Sequence, residues 1–249
     1  MDNEASLTFN QVVRGISEFS QFSSSMLHTT ISLLTLYTVE VAIHTILYVR
    51  QVYPADLFVR RKKYDAVVFQ SRHPALNEYI SGAVKAIEDE LVLGTLNKVV
   101  VVIKNKDEVA LERFIFALHS LVNVESYNRD TSVEEAMTPC SLGQYFRSFL
   151  IKLSTIEAQL GQIHAVGDLS FAIIIELQDD RAPAASTEHY PPPWVPAVQG
   201  HTTTDVSDKS ELHMVRVVET GIINLALAVQ ESEEKLQLLL SDESRPTEK

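Results

Sequence analysis

Residues 39–54 read Val39-Glu40-Val41-Ala42-Ile43-His44-Thr45-Ile46-Leu47-Tyr48-Val49-Arg50-Gln51-Val52-Tyr53-Pro54. Val39, Ala42, Ile43, Ile46 and Leu47 recur at spacings of three and four, the signature of one buried helix face. Pro54 bounds the helix, because the residue before a proline avoids the α region. Upstream, Val12, Val13, Ile16 and Phe19 form another helical stripe. Between the two lies Ser20–Thr38. Carried through as helix, these nineteen residues turn the downstream stripe by about 100° from the upstream one. Ser23-Ser24-Ser25 and Thr29-Thr30 are weak helix formers as well. The segment reads either as a genuine insertion or long broken helix, or as a retained intron of nineteen codons. Met26 to Val49 is apolar enough to suggest a membrane span, but Glu40 and His44 interrupt it, so a core helix is expected.

Downstream, Arg60-Arg61-Lys62-Lys63 reads as a solvated loop or a local anion-binding patch, and Val67 to Phe69 as a short strand. His73-Pro74 opens a second helix, with proline at its first position. Its buried face is Leu76, Tyr79, Ile80, Ala83, Val84, Ile87 and Leu91, and Gly94 ends it. Val99 to Ile103 is an unbroken β-branched run, hence a strand. Asn105 to Glu108 is a turn into an antiparallel partner around Arg113 to Phe116. Thr138-Pro139 starts a third long helix with the stripe Leu142, Tyr145, Phe146, Phe149, Leu150, Leu153, Ile156 and Leu160. Phe171 to Leu177 is another strand, and Leu212 to Val218 and Leu225 to Val229 are two more. Three helices and five or six strands in hairpin-like order give an α+β domain. It spans residues 1–230, and 231–249 forms an acidic tail in which Leu236 to Leu240 could extend a helix.

The 249 residues carry a formal charge of −12, which disfavours non-specific nucleic-acid binding by the chain as a whole. The single cysteine, Cys140, excludes a disulfide framework and a multi-cysteine zinc site. Asp2 and Glu4 replace the basic start of a signal peptide, so an intracellular protein is expected.

Motifs for chemistry are missing from the sequence. There is no G-x-G-x-x-G, no P-loop and no G-x-S-x-G. His189 and His201 lack metal-ligand spacing, and Cys140 has no evident base. The adjacent pairs Glu134-Glu135, Asp179-Asp180 and Glu233-Glu234 point their side chains apart. No catalytic residue, cofactor or metal is therefore expected. Five of nine prolines lie between Pro183 and Pro196, around the only tryptophan, Trp194. A loop of this length is commonly functional. Trp194 is either a binding hot spot or a pin that holds the loop to the domain.

Ile46-Leu47-Tyr48-Val49-Arg50-Gln51-Val52-Tyr53-Pro54 resembles the I-L-Y-x-R-x-x-Y-P signature of HORMA domains. Arg60 to Tyr64, followed by His73-Pro74-Ala75-Leu76-Asn77-Glu78-Tyr79-Ile80, is similar to the HORMA accessory subunits of translesion DNA polymerase zeta. The resemblance continues through Lys98–Ile103, Glu112–Phe116, Arg147–Leu153 and Phe171–Ile175, and weakens after about residue 177. It implies a non-catalytic nuclear adapter with three main helices on a mostly antiparallel sheet. It further implies a C-terminal safety belt, residues 178–230, that clasps a peptide of the polymerase's catalytic subunit. A second surface would dock a scaffold Y-family polymerase. Residue by residue, it places Tyr79 and Trp194 against the peptide, Arg147 at a surface for HORMA homodimers or heterodimers, and Leu212, Ala226 and Ala228 at the scaffold-docking surface. The two alanines depart from the polar and aromatic residues usual there. Sequence-specific nucleic-acid binding and membrane association are not expected. A spindle-checkpoint or meiotic signalling role for the same fold is the other reading.

Overall fold

A computed structural model describes residues 24–120, 139–163, 168–178, 182–184, 194–198, 200, 210–219 and 223–237. Helix α1, Ser24–Val49, is unbroken. Leu34, Leu36, Val39, Ala42, Ile43, Ile46 and Leu47 are buried along it, as are Thr35, Thr38 and Thr45. A helix apolar on nearly every side belongs inside a core. The buried threonines return their hydroxyls to the preceding turn, Thr38 Oγ1 to Leu34 O and Thr45 Oγ1 to Val41 O, each at 2.8 Å. Residues 24–38 thus occupy the turns immediately ahead of Val39. The upstream stripe at Val12 to Phe19 lies outside the described residues. No helix of the described residues is long and apolar enough to cross a membrane.

Strands β1, Phe58–Lys63, and β2, Ala66–Ser71, form an antiparallel hairpin. The cationic run expected to be a loop is therefore a strand. Its four consecutive cations hide the alternation that marks a strand, because a two-stranded ribbon leaves them in water. Helix α2, Pro74–Val92, follows, with the His73 ring accepting from Leu76 N at its start. It ends at Gly94, where φ is +71°.

The main sheet has five strands: β3, Leu96–Lys104; β4, Ala110–Ser120; β5, Ser170–Leu177; β6, Glu211–Glu219; and β7, Ile223–Glu231. Their order is β5-β3-β4-β7-β6, antiparallel throughout. Val99, Val101 and Ile103 of β3 face the main core with Phe114, Phe116, Leu227 and Val229. Val100 and Val102 face the other side with Ile174 and Ala110. Burial on both faces is why the β-branched run shows no alternation. Helix α3, Pro139–Ser154, stops earlier than its stripe suggests, and a short α4, Glu157–Leu160, carries the stripe to Gly161. Helix α1 packs against α2, α3 and β2. The sequence expectation of helices on a mostly antiparallel sheet holds, with seven strands among the described residues rather than five or six.

Residues 231–237, expected to belong to an acidic tail, are part of the folded domain. Glu231 closes β7, residues 233–237 form a helical turn, and Lys235 is 1% exposed. Lys235 Nζ bonds Glu112 Oε1 at 2.6 Å and Leu160 O at 2.9 Å, and it also pairs with Glu231. A buried ammonium with three acceptors fixes this turn to the domain.

Candidate functional site

Strand β5 is one edge of the sheet and β6 is the other. Residues 178–210 connect them, so this segment must pass from one edge to the opposite one. It is tied down along the way. Gln178 N donates to Thr95 O at 2.8 Å. Ala184 N donates to Glu90 Oε1 at 2.6 Å, and Glu90 Oε2 accepts from Thr95 Oγ1 at 2.5 Å. Arg113 Nη2 donates to Gly200 O, and Gln230 Nε2 to Ser210 Oγ at 3.2 Å. Arg113 alternates with Glu112 and Phe114, which face the helices, so Gly200 lies across the other face.

Tyr79, expected on the buried face of α2, is instead 48% exposed and stands beside β5, where its hydroxyl accepts from Ile173 N at 3.4 Å. Its ring meets Phe171 edge-on at 5.6 Å, and Phe171 meets Tyr53 edge-on at 6.2 Å. Burial, and then the neighbouring Tyr79, push the Tyr53 hydroxyl above the ordinary phenol range. Trp194 is half-buried and packs on the main core, while its Nε1 is buried with no acceptor among the described residues. The prolines Pro191 to Pro193, His189 and His201 lie outside the described residues, as do Glu134, Glu135, Asp179 and Asp180. Cys140 falls in α3, but its side chain is among those not described.

A cleft of about 810 Å³ lies at the end of α1, lined by Tyr48, Val52, Tyr53, Phe69, Ser154 and Glu157 among others. It reaches Tyr53 but contains neither Tyr79 nor Trp194.

At the other edge, Leu212 is 59% exposed on β6. It pairs with Gln230, Met214 with Ala228, and Val217 with Ala226. A bulge between Met214 and Arg216 keeps Leu212, Met214 and Val217 outward. The register therefore sets Leu212, Ala226 and Ala228 on one face of two neighbouring strands. The sequence reading missed Met214 and Val217, both exposed, which supply beside each alanine the apolar area the alanines lack. Arg147 is exposed on α3 and acts electrostatically on Asp65 at the β1–β2 turn.

Sequence reasoning also missed the charges that hold these parts together. Arg50 donates Nε to Glu112 Oε2 at 2.9 Å and Nη2 to Oε1 at 2.6 Å. Through Lys235 the chain of charge continues to Glu231, whose other oxygen meets His213 Nε2 at 2.8 Å. Glu211 lies 3.7 Å from the same His213 nitrogen. The end of α1, β4, β7 and β6 are thereby joined by one network.

The HORMA domain family model matches residues 32–222. The mitotic spindle assembly checkpoint protein MAD2B of Danio rerio is 30% identical over 212 residues, covering 79% of this chain and 88% of its own length. The DNA polymerase zeta processivity subunit of Schizosaccharomyces pombe is 38% identical over 118 residues, covering 47% of this chain and 55%, about half, of its own length. Among solved structures, a chain of the mitotic checkpoint complex superposes with a TM-score of 0.63 at 19% identity, covering 80% of this chain and 97% of that one. The C. elegans protein HTP-2 bound to a HIM-3 closure motif superposes with a TM-score of 0.62 at 11% identity, covering 83% and 91%. The two structures speak for the fold. The family match, the relative that parallels most of the chain, and a sheet whose two edges are linked by a pinned crossing segment agree that this chain belongs to the HORMA domain family.

Proposed function

We propose that the chain is a non-catalytic adapter subunit of translesion DNA polymerase zeta, acting in the nucleus in DNA damage tolerance. Residues 178–230 serve as a safety belt that encloses a peptide of the catalytic subunit, laid along the outer side of β5. The observation that carries this reading is the crossing from β5 to β6, which leaves β5 paired on one side only among the described residues, with Tyr79 beside it. An extended peptide adds to such an edge through main-chain hydrogen bonds. The Trp194 indole N–H has no acceptor among the described residues, which leaves it available should the loop move to admit a peptide. The name of the S. pombe relative supports the choice of partner. The exposed row Leu212, Met214 and Val217 at the opposite edge is proposed as the docking face for a scaffold Y-family polymerase.

Co-purification with partner identification tests this. Retrieval of the polymerase zeta catalytic subunit is expected. Retrieval of spindle-checkpoint or meiotic HORMA partners instead would favour the signalling role.

A further inference from the structure

The β1–β2 hairpin places Arg60, Arg61, Lys62 and Lys63 on consecutive positions in a chain of formal charge −12. Clasping a peptide at β5 gives them no task. Arg60, Arg61 and Lys62 are exposed, and neither Arg60 nor Arg61 has a carboxylate partner among the described residues. Lys62 pairs with Asp65 at 2.7 Å, but both are about 70% exposed, so water competes for the pair. Arg147 adds a fifth cation near the same turn.

The hairpin is built stiff. Tyr64 and Asp65, its two turn residues, have φ of +46° and +58°, a conformation that glycine and asparagine usually supply. Tyr64 tolerates it because its ring is buried against Phe146 at 5.3 Å and its hydroxyl bonds Thr38 Oγ1 at 3.2 Å. A strained turn held by packing presents its flanking residues in one orientation.

The aromatic faces nearby are occupied. Phe69 stacks on Tyr48 at 3.5 Å, Lys63 covers Tyr37 at 4.6 Å, and Tyr64 is buried. A surface for unpaired nucleotides needs open rings on which bases stack. This one offers cations alone. Successive side chains of a strand leave on opposite faces, so Arg60 and Lys62 share one face, about 6.7 Å apart, and Arg61 stands on the other; all three flank the outer edge of β1, which no strand pairs among the described residues. Guanidinium groups are the side chains best shaped to receive phosphate oxygens.

We propose that the β1–β2 hairpin, with Arg147, is a sequence-independent contact surface for the phosphate backbone of duplex DNA. The choice of DNA as the polyanion rests on the proposed placement of the chain beside a DNA polymerase. The contact helps hold the polymerase on its template while the belt and the β6 edge hold its proteins.

The test is fluorescence anisotropy of the full chain with a labelled duplex of about 25 base pairs, between 50 and 200 mM salt. Four phosphate contacts, by Arg60, Arg61, Lys62 and Arg147, give a log–log salt slope of about −3.6. Arg60→Ala/Arg61→Ala should reduce that slope by about 2 and weaken binding at least tenfold at 50 mM salt. Arg60→Lys/Arg61→Lys should retain most of it, and Arg147→Ala should reduce the slope by about 1. Absence of duplex binding by the full chain at 50 mM salt would overturn the proposal, as would unchanged binding by the double alanine variant. A change in self-association alone, measured by sedimentation with duplex affinity intact, would also overturn it and assign the face to a second copy of the chain. Peptide clasping is measured on the same variants. Trp194→Ala should lose the peptide and keep the duplex, so failure of one reading is distinguishable from failure of the other.

Discussion

Arg50 and Glu112 face each other through two hydrogen bonds of 2.6 and 2.9 Å, and neither side chain is more than 1% exposed. Lys235 completes the cluster from the far end of the chain. Removing one member strands a charge in the interior. Glu112→Leu should cost about 3–5 kcal/mol of stability in chemical denaturation. Arg50→Met combined with Glu112→Leu should recover part of that loss, because the stranded guanidinium is gone. A double variant no better than the single one would contradict this account of the pair.

Stability should also depend on His44. Its side chain is buried in α1, Nδ1 has no partner among the described residues, and burial pulls its pKa down from 6.5 to about 4. Between those values the unfolded chain binds a proton that the folded chain refuses. The contribution of His44 is therefore fully present above about pH 6.5 and is lost as pH falls toward 4, by about 3 kcal/mol. Glu40, one turn earlier, works in the opposite sense, because burial raises its pKa despite Lys63 nearby. Denaturation of the parent chain and His44→Leu across pH 4–7 isolates the histidine: the parent should lose stability relative to the variant, by up to about 3 kcal/mol, as pH falls from 7 to 4.

For the belt, Trp194→Ala should weaken binding of the client peptide by about 2 kcal/mol or more, as truncation of hot-spot residues does. Tyr79→Ala should weaken it as well, since it removes both a ring contact to Phe171 and the hydroxyl on Ile173 N. Calorimetry with the client peptide measures both, and unchanged affinity in both variants would exclude β5 as the peptide site.

At the opposite edge, Leu212→Glu should abolish scaffold binding while catalytic-subunit binding persists. Loss of both in a pull-down would indicate a folding defect instead. Met214→Glu should behave like Leu212→Glu, because the two side chains share the outward row.

Residues 20–38 carry a prediction about the message. In this chain α1 places residues 24–38 in the turns ahead of Val39. Joining Phe19 to Val39 through one apolar residue would set Val12, Ile16, Phe19, Ala42 and Ile46 on a single stripe in the same place. Transcript sequencing should find a mature message without these nineteen codons. A mature message that retains them, from cells in which the protein works, refutes the intron reading.

Helix α2 was legible because Ile80, Val84, Ile87 and Leu91 keep one face buried, and β3 because its β-branched run is long. A peptide role for Tyr79 was reachable only through resemblance, since a tyrosine on an amphipathic helix does not reveal which strand lies beside it, whereas Trp194 stood out as the only tryptophan in a proline-rich loop. The charge network was out of reach for another reason. Arg50, Glu112 and Lys235 are far apart in the chain, and nothing local marks any of them as buried. Glu90 gave a fainter signal: a carboxylate sits on the inward face between Ile87 and Leu91, and such a group needs internal donors, which Thr95 and Ala184 supply.

The pairing of β4 with β7, from Glu112 opposite Glu231 to Ser120 opposite Ile223, sets a timetable for the nascent chain. When β4 leaves the ribosome, its partner is still about a hundred residues from being made. At about 5–20 residues per second, that strand waits roughly 5–25 s with one side unpaired. An open strand edge recruits whatever strand is nearest. The newborn sheet therefore offers the side of β4 as well as the side of β5, and the first of these is closed only by the chain's own last strands. Synthesis in the crowded cell should thus favour chaperones that shield a sheet edge, and truncations before residue 223 should be recovered as aggregates rather than as a smaller soluble domain.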